Sequence, residues 1–141
     1  MYAKIRHIIT IFIFSSILLT GCNTLQRIQT GQLTTEFDQT FLLYAKHLRW
    51  GHFRELTTYM TPEHIGPAME KITSITLRGI KVSHVEPIAW LLDMENEVMT
   101  GDVVVDYYIT SSGLIRQTTQ HQIWRLNGDI WQLDGGLPDL R

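Results

Sequence analysis

The feature that most constrains the fold is a change in the periodicity of apolar residues near residue 77. Before it, apolar side chains recur at spacings of 4, 3 and 4, in Phe37, Phe41, Tyr44 and Leu48. This is the spacing of an apolar stripe on an amphipathic helix. After it, apolar and polar residues alternate, as in Val103–Ile109, in segments rich in β-branched and aromatic residues. Helices followed by strands predict an α+β fold.

The helical part should consist of three segments. The first is expected to begin at Thr35, which can act as its N-cap. A second short helix follows the glycine at position 51. The third is expected to begin with Pro62 at its first position, after Thr61 as N-cap. Gly66-Pro67 should break that helix and restart it, so that it ends near Thr73.

The remainder predicts four antiparallel strands joined in a meander, with the helices packed on one face of a curved sheet. The Asn127-Gly128 pair is a strong signal for the last hairpin. Pro87 suggests a bulge or an edge position in the first strand. Parity in that strand places Ile88 on the same face as Trp90 and Leu92.

The N-terminus resembles the signal of a bacterial lipoprotein. Lys4 and Arg6 precede an apolar run over residues 8–19, which as a helix is about 18 Å long, shorter than the ~30 Å hydrocarbon core. The run ends in Leu19-Thr20-Gly21-Cys22, similar to a lipobox. The resemblance implies a cleaved signal peptide (1–21), a Cys22 that carries acyl chains such as palmitate, a polar tether (22–34) and a domain (35–141).

The same resemblance indicates a location in the cell envelope. Residue 23 is Asn rather than Asp, which in lipoproteins of Gram-negative bacteria favours the periplasmic face of the outer membrane. A Gram-positive source would place the protein on the outer face of the cell membrane. The alternative to lipidation is a buried or free Cys22 close to an uncleaved anchor.

Charge and cysteine content exclude two classes of protein. The formal net charge is −2, and loss of Lys4 and Arg6 with the signal would make it −4. A weakly acidic chain without a basic cluster is not expected to bind nucleic acid. Cys22 is the only cysteine, so the domain forms no internal disulfide and depends on packing for its stability.

The domain resembles the NTF2-like superfamily over about residues 36–135. The matching motifs are Trp50-Gly51-x-Phe53-x-x-Leu56 in the helical part and Trp124-x-x-x-Gly128-x-x-Trp131 in the last hairpin. The resemblance implies a bent sheet that wraps around helices to form a cone with an open mouth. Some members are isomerases or dehydratases that use an Asp and a His or Tyr inside the cone.

Three residues are candidates for such catalysis: His121, Asp106 and Tyr59. An Asp or a His in an apolar cone can act as a general base. Strand parity argues against Asp106, which should face solvent together with Asp102. His121 lies on a strand that is polar on both parities, so either a hydrated pocket or an exposed surface would accommodate it.

Candidates for ligand binding are Trp124, Thr119 and Gln117. Aromatic residues on amphipathic elements belong more often to a core than to a ligand site. Trp124 competes with Ile123 for the buried face, so one of the two should point outward.

No metal or cofactor is expected. The histidines at 47, 52, 64, 84 and 121 have no metal-ligand spacing. No phosphate-binding glycine loop or nucleophile elbow occurs.

The sequence therefore favours an envelope lipoprotein whose domain binds a protein partner or a small apolar ligand without transforming it. One alternative is an isomerase- or dehydratase-type enzyme that uses His121 in the cone. Another is an assembly factor of an envelope complex.

Overall fold

A computed structural model describes residues 29–141 of the chain. Residues 1–28, which include the signal, Cys22 and most of the expected tether, lie outside the described residues. Chain contacts divide the protein into two units after Thr35, and the second unit is Glu36–Arg141. No helix among the described residues is long and apolar enough to cross a membrane.

The second unit is an α+β domain, as the sequence predicts. A helix, α1, occupies residues 29–50 of the described chain and leads into a short 3-10 helix, Glu55–Tyr59. Helix α2 spans Pro62–Leu77. The strands, in chain order, are β1 (Ile80–Asp93), β2 (Val98–Ile109), β3 (Ile115–Asn127) and β4 (Ile130–Leu133).

The four strands form one antiparallel sheet in the order β1-β2-β3-β4. This confirms the predicted meander. The last hairpin turns at Asn127-Gly128, where Gly128 has a φ of 65° that a side chain would strain. The sheet is open, so β1 and β4 are its two edges.

The start predicted for α1 is wrong, because residues 29–34 are already helical. Thr35 is not a cap: its hydroxyl donates to the carbonyl of Gly31 at 2.8 Å, a bond made inside a helix. Leu33 stands four residues before Phe37, so the apolar stripe begins one turn earlier than the predicted start.

Helix α2 begins as predicted and then runs through the predicted break. Thr61 occupies the N-cap position and Pro62 the first turn, although the Thr61 side chain makes no capping bond. Pro67 removes one backbone bond on an exposed face, where water can replace it. Burial of Ala68, Ile72 and Ile75 on the opposite face holds the helix together as far as Leu77.

The core lies between α1 and the face of the sheet that contacts it, here called the inner face. Four large side chains with at most 1% exposure form its centre: Phe37, Tyr44, Trp124 and Trp131. Phe37 meets Trp124 and Trp131 edge-on with ring centroids 5.8 and 5.5 Å apart. Edge-to-face aromatic contacts add about 0.5–1.5 kcal/mol each beyond the burial of their area.

Strand β1 is irregular at two places. Its register against β2 shifts between Val82 and His84 and again between Pro87 and Ala89. The irregularity expected at Pro87 is therefore confirmed. Each shift moves the following side chains to the other face. For this reason Ile88 is 61% exposed, and its predicted place beside Trp90 is wrong.

Candidate functional site

A groove of about 440 Å³ runs between α1 and the outer strand β1. Its volume is in the range of ligand sites. Helix α1 supplies one wall and strand β1 the other. The lining residues are Asp38, Phe41, Leu42, Ala45, Lys46, Arg49, Trp50, Val85 and Pro87. We call this feature the α1/β1 groove.

The helical wall follows from the arrangement of α1. Its buried stripe packs on the sheet, and a neighbouring row, in which Asp38, Leu42 and Lys46 follow one another at intervals of four residues, faces the groove. Leu42 and Trp50 are 69% and 71% exposed. Large apolar side chains next to a recess are typical of interaction sites, and tryptophan is enriched among residues that dominate binding.

The base of the groove is supported by the aromatic core. Phe41 lines the groove and packs edge-on against Trp90 of β1, with ring centroids 5.1 Å apart. Trp90 also meets Phe37 at 4.8 Å. Since these rings are held on several sides, the groove is a preformed recess, which lowers the entropy cost of binding.

The strand wall exists because of the first of the two irregularities in β1, between Val82 and His84. After the first register shift, Val85 pairs with Val105, and Pro87 pairs with Val103, on the inner face. Their side chains thus reach the groove. Beyond Pro87 the strand also exposes Leu91, at 73%, but Leu91 pairs with Thr100 and lies on the face of the sheet away from α1, outside the groove.

The two ends of the groove differ in charge. Lys46 and Arg49 lie towards the C-terminal end of α1, next to Trp50, and Asp38 lies towards the other end. Within residues 29–141, neither Lys46 nor Arg49 takes part in an ion pair. Both cations are therefore available to a partner.

His121 does not lie in an inner cavity, which corrects the hypothesis that it acts there. It alternates with Gln120 and Gln122 of the inner face and is 61% exposed on the outer face of the sheet. Its Nδ1 atom lies 2.8 Å from a carboxylate oxygen of Asp102, its partner on β2. His121 therefore pairs with an acidic residue, but both side chains are at least half exposed to water.

Asp106 also lies on the outer face, as its parity predicts. Its carboxylate accepts a hydrogen bond of 2.8 Å from the amide of Gln117. Gln117 and Thr119 are exposed on the same face. None of these three residues lines the α1/β1 groove.

The other two candidates belong to the helical side of the sheet. Trp124 is fully buried, and its neighbour Ile123 has the opposite parity. Trp124 is thus a core residue rather than a ligand-stacking one. Tyr59 packs near Tyr44 and His47, with ring centroids 6.0 and 6.1 Å away. Partial burial raises the pKa of Tyr59, which disfavours its ionised form.

The polar side chains that β3 directs inward are paired within the core. Gln122 is 1% exposed and accepts a bond of 3.0 Å from the indole N–H of Trp124. Its own amide donates to Gln120 at 3.0 Å. Burial raises the pKa of the Tyr44 hydroxyl strongly, an effect that the neighbouring Gln122 partly offsets. The polar residues Gln120 and Gln122, which β3 directs towards the inner face, therefore stabilise the core through hydrogen bonds.

Residues 134–141, here called the C-terminal segment, cover part of the inner face. Leu137 and Leu140 are buried. Gln120 donates to the carbonyl of Gly136 at 2.8 Å, and Tyr107 donates to the carbonyl of Arg141 at 2.8 Å. The part of the sheet on which the sequence placed a ligand cavity is thus occupied by the chain itself.

The start of α2 and the end of β4 meet at a charged cluster. Oxygen and nitrogen atoms of Glu63, His64 and Asp134 lie within 4.8 Å of one another, close enough to hold a metal ion. However, Asp134 accepts a bond of 2.7 Å from Arg125 and lies 3.2 Å from His64. The Arg125 guanidinium, followed by His64, holds the pKa of Asp134 below its usual range. A cation already neutralises Asp134, so we interpret the cluster as a clamp between α2 and β4.

Sequence reasoning missed the groove for a physical reason. The row of Asp38, Leu42 and Lys46 beside the buried stripe is visible in the sequence. The opposing wall depends on the register shift between Val82 and His84, and no local pattern in the sequence predicts that shift.

Comparison with known proteins gives no family. No family model matches the chain, and no curated protein matches it. A solved structure, the crystal structure of the intermembrane space region of the chloroplast protein ARC6, aligns with a TM-score of 0.45 and 6% identity, over 78% of this chain and 93% of the other. At this TM-score the likeness carries no functional argument.

Proposed function

We propose that the protein is a lipid-anchored component of the bacterial cell envelope that binds another protein through the α1/β1 groove. The observation that carries the proposal is the groove itself, an apolar recess with Leu42 and Trp50 exposed beside it. The lipobox-like motif that ends in Cys22 supports the location. The role is binding rather than catalysis.

Several features favour a protein over a small ligand as the partner. The groove is partly open to solvent, and Leu42 and Trp50 beside it are 69% and 71% exposed. A small apolar ligand gains most of its affinity from enclosure, whereas a protein segment can use an open recess and its rim. The inner face, where a small ligand was expected, is covered by Leu137 and Leu140.

The enzyme alternative has less support. The Asp102–His121 pair has the geometry of a base and its orienting acid, but the side chains are 50% and 61% exposed. A general base normally lies in a partly desolvated cleft beside the substrate, where its surroundings tune its pKa to the working pH. The pair fits an exposed surface contact better.

The groove can be tested by co-purification after chemical crosslinking in the source organism. We expect the double variant Leu42→Ala/Trp50→Ala to lose a partner that the unaltered full chain retains. Both side chains are mostly exposed, so the melting temperature should change little. Ile130→Ala is the matched control, since Ile130 is 62% exposed on the opposite edge strand. Equal recovery of the partner with both variants would exclude the groove.

The anchor is tested separately by Cys22→Ser. This change should abolish labelling by a fatty-acid analogue and release the chain from the membrane fraction, because the thiol is the site of acylation. Membrane association and labelling unchanged by the substitution would contradict the lipoprotein assignment.

A further inference from the structure

The charges at the two ends of the α1/β1 groove give it a direction. Asp38 and Arg49 are separated by eleven positions on one helix, which corresponds to about 16 Å at roughly 1.5 Å per residue. Lys46 lies one turn before Arg49, so the basic end carries two cations and the acidic end one carboxylate. Leu42 and Phe41 lie between the ends.

The length of the groove sets the size of what can fill it. An extended chain advances about 3.3 Å per residue, so a segment of about five residues spans from Asp38 to Arg49. The central residues of such a segment would contact an apolar surface formed by Phe41, Leu42 and Val85. The terminal residues would lie beside the charges.

Recognition in this groove should depend on side chains rather than on an added strand. Strand β1 is a free edge, but its register shifts twice, around Ser83 and Ile88, and Pro87 has no backbone N–H. Bulges and prolines interrupt the ladder that an added strand would need. Backbone pairing at this edge would be discontinuous, which leaves the groove and its rim as the determinants of specificity.

From these observations we propose that the groove binds a short extended segment of a partner protein that is apolar in its centre, acidic at the end beside Lys46 and Arg49, and basic at the end beside Asp38. The inference rests on the function proposed above and specifies the partner. Two cations at one end and a carboxylate at the other are complementary to a segment with this order of charges.

An anionic membrane surface is the other class of partner that cations next to a tryptophan can attract. The geometry fits it less well, since the apolar surface is recessed between a helix and a strand instead of projecting. Asp38 in the same groove would also repel anionic headgroups. Binding of the protein to anionic vesicles through this surface would therefore contradict the proposal of a protein partner.

The test is a selection from a displayed library of random short peptides on the full-length chain purified in detergent. We expect selected peptides to have an apolar centre and oppositely charged ends. Lys46→Glu/Arg49→Glu should weaken their binding about tenfold, since each exposed charge pair contributes only modestly. Peptides with their two end charges exchanged should bind this variant better than they bind the unaltered protein.

Two controls separate the inference from the function on which it rests. Arg54→Glu/Lys81→Glu makes the same change in net charge at exposed positions outside the groove, and should leave binding within about twofold. Leu42→Ala/Trp50→Ala should abolish binding of any peptide held in the groove.

The outcomes are distinguishable. In one outcome, the selected peptides fail to bind Leu42→Ala/Trp50→Ala but bind Lys46→Glu/Arg49→Glu as tightly as wild type. That result would overturn the proposed order of charges in the partner segment and would leave the groove as a binding site. If the selected peptides bind both double variants as tightly as wild type, or if the selection enriches no peptide, both proposals are overturned. Binding to vesicles of anionic phospholipid that depends on Lys46 and Arg49, without peptide binding, would assign the surface to the membrane.

Discussion

Replacement of Gly101 by alanine should destabilise the domain by about 3 kcal/mol, because β2 approaches β1 at this point more closely than a side chain allows. A Cβ atom at Gly101 would lie 2.0 Å from the carbonyl oxygen of Ala89 and 2.3 Å from the nearest ring carbon of Trp90. Ordinary carbon contacts are about 3.5–4.0 Å. The ring or the strand would therefore have to move by more than about 1 Å.

The magnitude follows from the contacts that restrain that movement. The Trp90 ring packs against Phe37 and Phe41, and Ala89 follows the second register shift of β1. Overpacking typically costs about 1–3 kcal/mol, and weakening of two edge-on aromatic contacts adds about 0.5–1.5 kcal/mol each. Alanine lowers the conformational entropy of the unfolded chain relative to glycine, which offsets up to about 1 kcal/mol of this cost. The balance is about 3 kcal/mol.

Thermal and urea unfolding followed by tryptophan fluorescence would measure the effect. A loss of about 3 kcal/mol should lower the melting temperature by roughly 10–15 °C in a domain of this size. Gly66→Ala is the control, since Gly66 lies in α2 and, apart from its chain neighbours and the nearby helix backbone, an added Cβ would meet no atom of the described residues within 4 Å. Alanine has the higher helix propensity, but the ring of Pro67 disfavours a helical residue with a Cβ directly before it, so stability should stay within about 1 kcal/mol of wild type. If Gly101→Ala unfolds at the wild-type temperature or above, the close packing of Trp90 on β2 is wrong.

Three further changes test other parts of the fold by chemical denaturation. Gln122→Leu should cost about 1–3 kcal/mol, because it leaves the buried N–H of Trp124 without its acceptor; an unchanged midpoint would exclude that bond. Tyr107→Phe should cost about 1 kcal/mol by removing the two hydrogen bonds that the Tyr107 hydroxyl makes with the backbone of Arg141; a stability equal to wild type would refute this attachment. Asp134→Asn should cost at most about 1 kcal/mol at neutral pH, since its partner Arg125 is half exposed.

The effect of Asp134 should depend on pH in a defined direction. Folding lowers its pKa below the ordinary value of 3.8, so the folded state favours the charged form. The stabilisation is complete above about pH 5 and is lost as the pH falls through 3.8 towards the folded-state value. Wild type and Asp134→Asn should therefore converge in stability in acid. A difference that persists in strong acid would show that the ionised carboxylate is not its source.

The order of elements was predictable because local patterns determine it. Strict alternation in β2 and the Asn127-Gly128 turn identify the meander, and the apolar stripe that includes Phe37 identifies α1. Errors arose where tertiary packing outweighs a local signal. Pro67 did not interrupt α2, because its neighbours on the other face are buried.

The candidate site was less predictable than the fold. Parity placed Asp106 correctly on the outer face, but the pairing of His121 with Asp102 requires the register between two strands. The groove requires the register shift between Val82 and His84 in β1 and the packing of Trp90 over Gly101. Such features depend on residues distant in the sequence, so a single chain read by itself does not reveal them.

The central claim, that the α1/β1 groove holds a protein partner, is tested most directly by site-specific photocrosslinking in living cells. A photoreactive phenylalanine derivative, which keeps an aromatic ring at the position, would replace Trp50 in the full-length chain, and Ile130, exposed on the opposite edge of the sheet, would be the control position. A partner bound in the groove predicts one discrete crosslinked protein from position 50 and none from position 130. Crosslinks of equal yield from both positions, or from position 130 alone, would contradict it.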